Sequence, residues 1–419
     1  EPPRPWEGCK VLNDDAVVIT GIGLVTPIGT GKTRFWNALI AGENGIRTIA
    51  SFDTSEFRTH RGGEVLDFNP SDYCRNVDPR RIGRGSQMAI AAARLAFDDG
   101  GFNVDKSNPS RTAVIFGTTM GESPIAESID SLLAQPGGLD GARNGRDASL
   151  SFPQEMISSS VAREFGLRGP VSLMATACAA GNYAIGYAGD LLQAGEVDFA
   201  LAGGSDPFSR VAFTGFNSIL AVAPEICQPF DRRRKGMSVS EGAAALLLER
   251  YRTARLRGAP IYAEVAGYGI SNDAHHMTAP HPTGRGASCS IMNALAAAKT
   301  PVDSVDYINA HGTGTPANDK IETLAIKRVF GDTAFRTPVS SIKSMLGHTM
   351  GAASAIEAAA SALTIQRGIV PPTINYREKD PDCDLDYVPN CAREMSIRTV
   401  LSNSFAFGGN CAALVLRSV

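Results

Sequence analysis

The 419-residue sequence lacks the features that mark several common protein classes. It contains no run of about 18 or more uncharged apolar residues, so no membrane-spanning helix is expected. It has no long block of Lys or Arg, and its formal net charge of −3 gives no general attraction to nucleic acid. The proline-rich start, residues 1–6, has no apolar signal-peptide core. Neither a membrane nor a nucleic-acid partner is therefore predicted.

The cysteines also lack a pairing pattern. The eight cysteines are scattered without a C-x-x-C pair, in a long chain with no secretion signal. This usage favours free thiols and a cytoplasmic location over disulfides or a zinc site. The length is sufficient for two domains and a large core, and the 43% hydrophobic content is ordinary for a globular protein.

Short apolar runs rich in β-forming residues alternate with alanine-rich helical stretches, which indicates an α/β protein. The main strand-like runs are 16–20, 112–117, 198–204, 243–248 and 261–265. The pattern restarts after a basic helical connector, which predicts two halves at residues 14–258 and 259–419 behind a flexible extension at residues 1–13. Residues 121–150 are the most loop-like interior segment, because glycine and proline are frequent there.

Cys178 is the first candidate for chemistry. It follows an apolar run and several small residues, and a helical pattern starts at the thiol and continues to about Leu192. The N-terminus of a helix stabilises a thiolate, the nucleophilic form of cysteine. Although most free cysteines are buried structural residues, this placement indicates covalent catalysis.

Two histidine motifs follow far downstream. His311 lies in N-A-H-G-T-G-T-P and His348 lies in K-S-M-L-G-H-T-M-G-A-A. Further motifs occupy residues 229–236, 271–278, 371–375 and 403–409. In these ordered motifs the chain resembles the β-ketoacyl-acyl carrier protein synthases, the ketosynthases of the thiolase superfamily. It is similar both to the synthase II type and to stand-alone ketosynthases of type II polyketide pathways.

The resemblance implies an α/β fold of the thiolase type, a five-layer αβαβα sandwich built from two similar halves. It implies acyl transfer to Cys178, followed by decarboxylative Claisen condensation with malonyl-acyl carrier protein. No cofactor is expected, because the substrates are carried on the phosphopantetheine of the carrier. Fatty acid elongation is the predicted pathway, and a specialised polyketide or polyene pathway is the alternative.

The resemblance also implies partners. These are an acyl carrier protein and a second chain, either an identical copy or a chain-length factor. Carrier proteins are acidic, so a basic surface is expected to dock them. The arginines predicted for docking are Arg75, Arg80, Arg81 and Arg84. The apolar run at residues 198–204 is predicted to form the sheet edge that meets the second chain.

Catalytic roles are carried over residue by residue. His311 and His348 would polarise the malonyl thioester carbonyl, and Lys343 would orient this network with Glu357 as its partner. The backbone N–H of Phe407 would join that of the nucleophile in an oxyanion hole, and the Phe407 side chain would gate the tunnel.

Substrate-binding roles follow in the same way. Thr313 and Thr315 would bond to the pantetheine arm, Met120 would form the floor of the acyl pocket, and Phe216 would line the mouth. Core packing is an equally good interpretation of Phe216. The remaining residues implied for substrate binding are Ala406, Gly408 and Gly409.

Three other interpretations of the motifs stay open. One cysteine and two histidines could bind zinc, although no metal ligand is assigned here. The chain could be a chain-length partner, a class of protein that shares the fold but lacks the nucleophile. It could also be a thiolase acting on coenzyme A, an enzyme that uses a second cysteine as its base.

The resemblance also bears on a cation, because some relatives hold a monovalent cation near the position of Glu357.

Overall fold

The computed structural model describes residues 12–134 and 152–419 and contains one large mixed sheet flanked by helices. Its main strands are β1 (Val17–Thr26), β2 (Thr112–Gly117), β3 (Val171–Met174), β4 (Phe199–Asp206), β5 (Gly242–Arg250), β6 (Ala263–Asn272), β7 (Tyr307–Asn309), β8 (Val339–Ser340), β9 (Thr399–Phe405) and β10 (Asn410–Arg417). The helices are α1 (Lys32–Ile40), α2 (Arg84–Asp99), α3 (Ser123–Leu133), α4 (Met156–Phe165), α5 (Ala180–Gln193), α6 (Arg210–Ser218), α7 (Tyr251–Arg257), α8 (Arg285–Ala297), α9 (Pro316–Phe330), α10 (Lys343–Leu346) and α11 (Ala353–Arg367).

The strand order repeats between the two halves of the chain. The first half runs β1-β5-β4-β2-β3 and the second runs β6-β10-β9-β7-β8. In each half the first two neighbouring pairs are antiparallel and the last two are parallel. The halves meet where β1 pairs with β6. This repetition confirms the prediction of two similar halves.

Helices separate and cover the two halves. α5 and α11 pack against each other and against strands of both halves, whereas α2 and α4 cover the outer face of the first half. α8 packs on β6 and β10, α9 packs beside α8, and the two helices cover the second half. The central contact is close, because a Cβ on Gly181 would lie 2.5 Å from the backbone nitrogen of Ala355. These layers are the αβαβα arrangement that the resemblance implies.

Two local predictions were wrong. Residues 123–133 form α3 and not a loop, because the apolar residues Ile125, Ile129 and Leu133 recur at helical spacing. β4 is an interior strand paired on both sides, so the edge of the first half is β3. The crossover through α5 returns to the opposite side of β2, which leaves β3 outermost.

Parts of two predictions fall outside the described residues. They are residues 135–151 of the predicted loop and residues 1–11 of the predicted extension. Within the described ranges, no helix has the length and apolar character needed to cross a membrane.

Candidate active site

Cys178 lies on a short 3₁₀ turn, Ala177–Ala179, between β3 and α5. Ala177 has a φ of 50°, a left-handed conformation that strains a residue with a side chain. The carbonyl of Cys178 accepts a hydrogen bond of 2.9 Å from the Ser404 hydroxyl on β9. The α-helix itself begins at Ala180, so Cys178 lies two residues before the helix instead of starting it.

The electrostatics of this thiol differ from the sequence expectation. Burial raises the pKa of Cys178 to about 12, although Lys343 and the backbone N–H groups of Cys178 and Phe407 act in the opposite direction. Desolvation is the largest of these effects, and it favours the neutral thiol. The two N–H groups predicted for the oxyanion hole, those of Cys178 and Phe407, both face the sulfur.

The structure brings the cysteine and both predicted histidines to one point. One side-chain atom from each of Cys178, His311 and His348 lies within 4.8 Å of the other two. The two imidazole rings are 5.4 Å apart and nearly perpendicular, at 83°. All three residues are buried. His311 follows the end of β7 and His348 follows α10, so the second half supplies both rings to a nucleophile from the first.

Hydrogen bonds define the tautomer of each histidine. The Met350 N–H donates to Nδ1 of His348 over 3.1 Å, and the Lys343 ammonium lies 3.4 Å from Nδ1 of His311. Both Nδ1 atoms therefore act as acceptors, and the proton of each neutral ring is on Nε2. Burial and the charge of Lys343 hold the pKa of both rings well below the ordinary value. Two neutral imidazoles thus carry free N–H donors beside the thiol.

The same hydrogen bonds argue against the zinc interpretation. A histidine that binds a metal through Nε2 keeps its proton on Nδ1 and donates it to an acceptor. Here Nδ1 of His348 faces a backbone N–H, and Nδ1 of His311 faces an ammonium. Neither ring has the acceptor that a metal-bound tautomer requires.

Lys343 and Glu357 form the predicted support for the histidine pair. Both are buried and ion-paired with each other. Burial raises the pKa of Glu357 to about 7 against the opposing effect of Lys343. Sequence reasoning missed Glu322, whose carboxylate accepts the N–H groups of His311 and Gly312 at 2.8 Å each. The only sequence signal for Glu322 was an acidic residue in the helix that follows the His311 motif.

A set of acceptor oxygens lies next to this support. Among the buried oxygens that have no hydrogen-bond partner in the described residues are Asn309 Oδ1, Glu357 Oε2, Ser402 Oγ and Asn403 Oδ1. Asn309 pairs in register with Ser402 and donates its amide to the Glu357 carbonyl. Carboxylate, amide and hydroxyl oxygens suit a hard cation. The set fits the monovalent cation of some relatives, which these residues would hold beside Glu357.

A cavity of about 290 Å³ opens onto the catalytic centre. The predicted residues that line it are Cys178, Phe216, His311, Thr313, Thr315, His348, Ala406, Phe407 and Gly409. The Phe216 and Phe407 rings are 5.7 Å apart, and the Thr313 and Thr315 hydroxyls are 2.9 Å apart. Cys411, which sequence reasoning did not select, also lines the cavity.

The loop that carries Phe407 is hydrogen-bonded to a neighbouring loop. Gly408 donates its N–H to the Met277 carbonyl over 2.7 Å, and the backbone N–H of Asp273 donates to the Gly409 carbonyl over 2.9 Å. Gly408 and Gly409 have φ values of 78° and 77°, which glycine adopts without strain. Gly408 is thus a structural part of this loop and does not line the cavity.

Other predicted residues lie elsewhere. Met120 does not line this cavity, and its N–H donates to Asp206 over 2.8 Å. None of the four docking arginines lines the cavity either. Arg84 is half-buried and paired with Glu241, while Arg80 is paired with Asp78. The guanidinium of Arg84 binds within the fold, which argues against a docking role for it, whereas Arg75 and Arg81 are exposed.

Comparison with known proteins agrees with this geometry. The family model described as beta-ketoacyl synthase, N-terminal domain, matches residues 14–254, and its C-terminal domain counterpart matches residues 262–377. The chain is 41% identical to the 3-oxoacyl-[acyl-carrier-protein] synthase 2 of Coxiella burnetii, over 96% of this chain and 98% of the relative.

Solved structures are similar over the same extent. The ishigamide ketosynthase/chain length factor matches with a TM-score of 0.93 and 43% identity, covering 96% of this chain and 99% of that one. A second match has a TM-score of 0.86 and 33% identity, with the same coverage of both chains. It is the structure of a type II PKS acyl-carrier protein in complex with its ketosynthase bound to the hexaketide. The resemblance drawn from the motifs is confirmed.

Proposed function

The chain belongs to the β-ketoacyl synthase family, and we propose that it elongates fatty acyl chains by condensing an acyl group on Cys178 with malonyl-acyl carrier protein. It is an acyltransferase that forms carbon–carbon bonds. One observation carries the proposed chemistry: two neutral imidazoles with free Nε2–H groups lie beside a buried cysteine.

Acyl transfer is the first half of the reaction. The Cys178 sulfur attacks the thioester carbonyl, the bond to the pantetheine sulfur breaks, and the cysteine proton passes to the departing thiolate. The N–H groups of Cys178 and Phe407 face the sulfur. They are therefore close to the carbonyl oxygen of the attacked thioester, which becomes the tetrahedral oxyanion. The low polarity that raises the pKa of the resting thiol also strengthens these two hydrogen bonds.

Condensation is the second half. The malonyl thioester carbonyl accepts the Nε2–H groups of His311 and His348, which stabilise the enolate as the bond to CO2 breaks. The enolate carbon then attacks the acyl-cysteine carbonyl, the bond between that carbonyl and the Cys178 sulfur breaks, and the Cys178 thiolate takes up a proton from solvent. Neutral rings suit this step. Both supply an N–H donor, and neither carries a positive charge that would bind the malonyl carboxylate and oppose its loss as CO2.

The arm that delivers the substrate needs polar contacts in a narrow passage. Thr313 and Thr315 line the cavity and supply hydroxyl groups for the amides of the pantetheine arm. Phe216 and Phe407 form an aromatic contact in the same cavity. We assign Phe407 to the gate, because its neighbours Gly408 and Gly409 allow that loop alternative backbone conformations.

The second candidate is a type II ketosynthase that works with a chain-length factor in a specialised polyketide or polyene pathway. The similarity to the ishigamide ketosynthase/chain length factor, at a TM-score of 0.93, favours it. The partners in either pathway are an acidic acyl carrier protein and a second chain at the partly exposed edge strand β3. The seven cysteines of the described residues are free, which supports a cytoplasmic location.

Three variants test the chemistry. Cys178→Ala should give no acyl adduct by intact-protein mass spectrometry, because the attacking sulfur is gone. His311→Ala and His348→Ala should still acylate but should lose CO2 release from malonyl-acyl carrier protein by roughly 10²–10³-fold, the usual effect of removing one oxyanion donor. His275→Ala, an exposed histidine, is the matched control. Normal CO2 release from either histidine variant would contradict the role of the two histidines in decarboxylation.

The pathway is tested with a panel of acyl groups on carrier proteins, saturated C4 to C16 beside short polyenoyl chains. Adducts on Cys178 across the saturated chains support fatty acid elongation. Adducts with short or unsaturated chains alone support the polyketide pathway. No adduct, with or without a chain-length factor, contradicts both.

A further inference from the structure

A second, smaller cavity of about 120 Å³ lies beside the catalytic one. Two exposed cations, Arg58 and Lys235, line it, and neither has an ion pair or hydrogen bond to any described residue. The cavities adjoin, because Leu220 lines both and Gly236, which follows Lys235, lines the catalytic one. The two cations therefore lie beside the cavity that contains Cys178.

A buried hydroxyl adds a second polar feature. Thr59 lines the small cavity, is only 2% exposed, and its hydroxyl has no hydrogen-bond partner in the described residues. Unpaired buried hydroxyl groups are costly and rare in folded proteins. An acceptor group entering the cavity would satisfy Thr59 and meet the charges of Arg58 and Lys235.

Leu220 is the third unusual feature. It ends α6 in a Schellman arrangement. Its N–H donates to the backbone carbonyl of Asn217, and the Ala221 N–H donates to the backbone carbonyl of Phe216, at 3.0 Å each. The left-handed position of this motif usually holds glycine, but Leu220 adopts it with a φ of 57°. The side chain is also 65% exposed. Neither backbone geometry nor burial accounts for a leucine there.

We infer that Arg58, Lys235 and Leu220 form the docking surface for the acidic carrier protein, an inference that rests on the proposed function. Carboxylates of the carrier would bind between the two cations, and an apolar carrier side chain would cover Leu220. This surface adjoins the catalytic cavity, whereas Arg80 and Arg84 of the sequence-predicted cluster are paired with acidic residues of this chain.

Charge reversal tests this surface. Arg58→Glu and Lys235→Glu should each lower the rate of Cys178 acylation from hexanoyl-acyl carrier protein by roughly tenfold, because attraction becomes repulsion. The effect should shrink at high salt. Acylation by hexanoyl-pantetheine, which has no carrier, should be unchanged. Arg398→Glu is the matched control, because this exposed arginine precedes β9 and so lies at the opposite end of that strand from the active site.

Each other outcome has a definite meaning. An equal loss with hexanoyl-phosphopantetheine shows that the cavity binds the phosphate of the arm, which overturns the carrier assignment. A lower acylation rate with all three acyl donors, the carrier protein, phosphopantetheine and pantetheine, shows a damaged active site. An unchanged rate with every donor shows that the carrier docks elsewhere. Both results overturn the inference. A wild-type protein that accepts no acyl group from any donor contradicts the proposed function, and the docking surface with it.

Leu220→Gly separates docking from stability. Glycine should relieve the left-handed strain and leave the melting temperature unchanged or higher, while the carrier-dependent acylation rate falls several-fold. An unchanged carrier-dependent rate in the folded variant would remove Leu220 from the surface.

Discussion

At the scale of single residues, the active site depends on where protons are held. His311 and His348 are both buried, and each presents Nδ1 to a donor inside the protein. The ring proton is then held on Nε2, on the side of Cys178. Burial and the nearby Lys343 charge hold the pKa of both rings well below the usual value, so both rings stay neutral at pH 7.

Lys343 gives a prediction for pH dependence. Removing its charge should raise the pKa of His311, so the ring would protonate at a higher pH. The acid limb of CO2 release by the acylated enzyme should therefore move to higher pH. The variant Lys343→Met with Glu357→Gln removes both buried charges, and Glu357→Gln alone is the control. An acid limb equal to that of the control would contradict this role for Lys343.

At the scale of elements, the site is positioned by the contact between α5 and α11, the two helices between the halves. α5 follows the Cys178 turn, and α11 carries Glu357. Gly181 permits their close approach, because a Cβ there would lie 2.5 Å from the backbone nitrogen of Ala355 and 2.8 Å from the Ser354 hydroxyl. The same Ser354 hydroxyl accepts the Asn182 N–H over 3.0 Å, which ties the helices together.

Gly181→Ala should separate these helices and destabilise the protein by about 1–3 kcal/mol, measured as the free energy of unfolding in denaturant. Acylation of Cys178 should slow as well, since the thiol lies on the turn before α5. Gly189→Ala is a matched control on the same helix, because its Cβ would meet no atom within 4 Å. That change should stabilise the helix by about 0.5–1 kcal/mol. Similar responses of the two variants would contradict the close-packing argument.

At the scale of the whole molecule, β3 is the exposed end of the first half of the sheet. It is paired on one side with β2, and its first residue, Val171, is 41% exposed. An uncovered edge strand invites pairing with another chain. β3 also leads directly into the Cys178 turn, so a chain that paired there would support the nucleophile.

We propose that a second chain pairs at this edge. Val171→Glu should then shift the protein from a dimer toward a monomer in light scattering after size-exclusion chromatography. Val419→Glu, at an exposed position at the end of the described chain, is the control. A wild-type chain that is monomeric alone but pairs with a chain-length factor would support the polyketide pathway. An unchanged dimer in Val171→Glu would place the interface elsewhere.

Much of the site was predictable from local motifs. Cys178, His311, His348, Lys343 and Glu357 were all identified from short segments, and the structure brings them together. The exceptions depended on contacts between distant segments. Arg84 was assigned to a surface because its partner Glu241 lies 157 positions away. Residues 198–204 were assigned to a sheet edge because the sequence does not reveal the crossover through α5, which places β3 outermost instead.

The reacting groups and the succession of strands and helices could be read from the amino-acid sequence, because they depend on residue type and on local periodicity. The protonation state of Cys178 and the tautomers of the two histidines depend on tertiary contacts. Tertiary contacts also decide which cations remain available for a carrier. These properties arise from burial and from hydrogen bonds between segments far apart in the chain, and no local pattern encodes them.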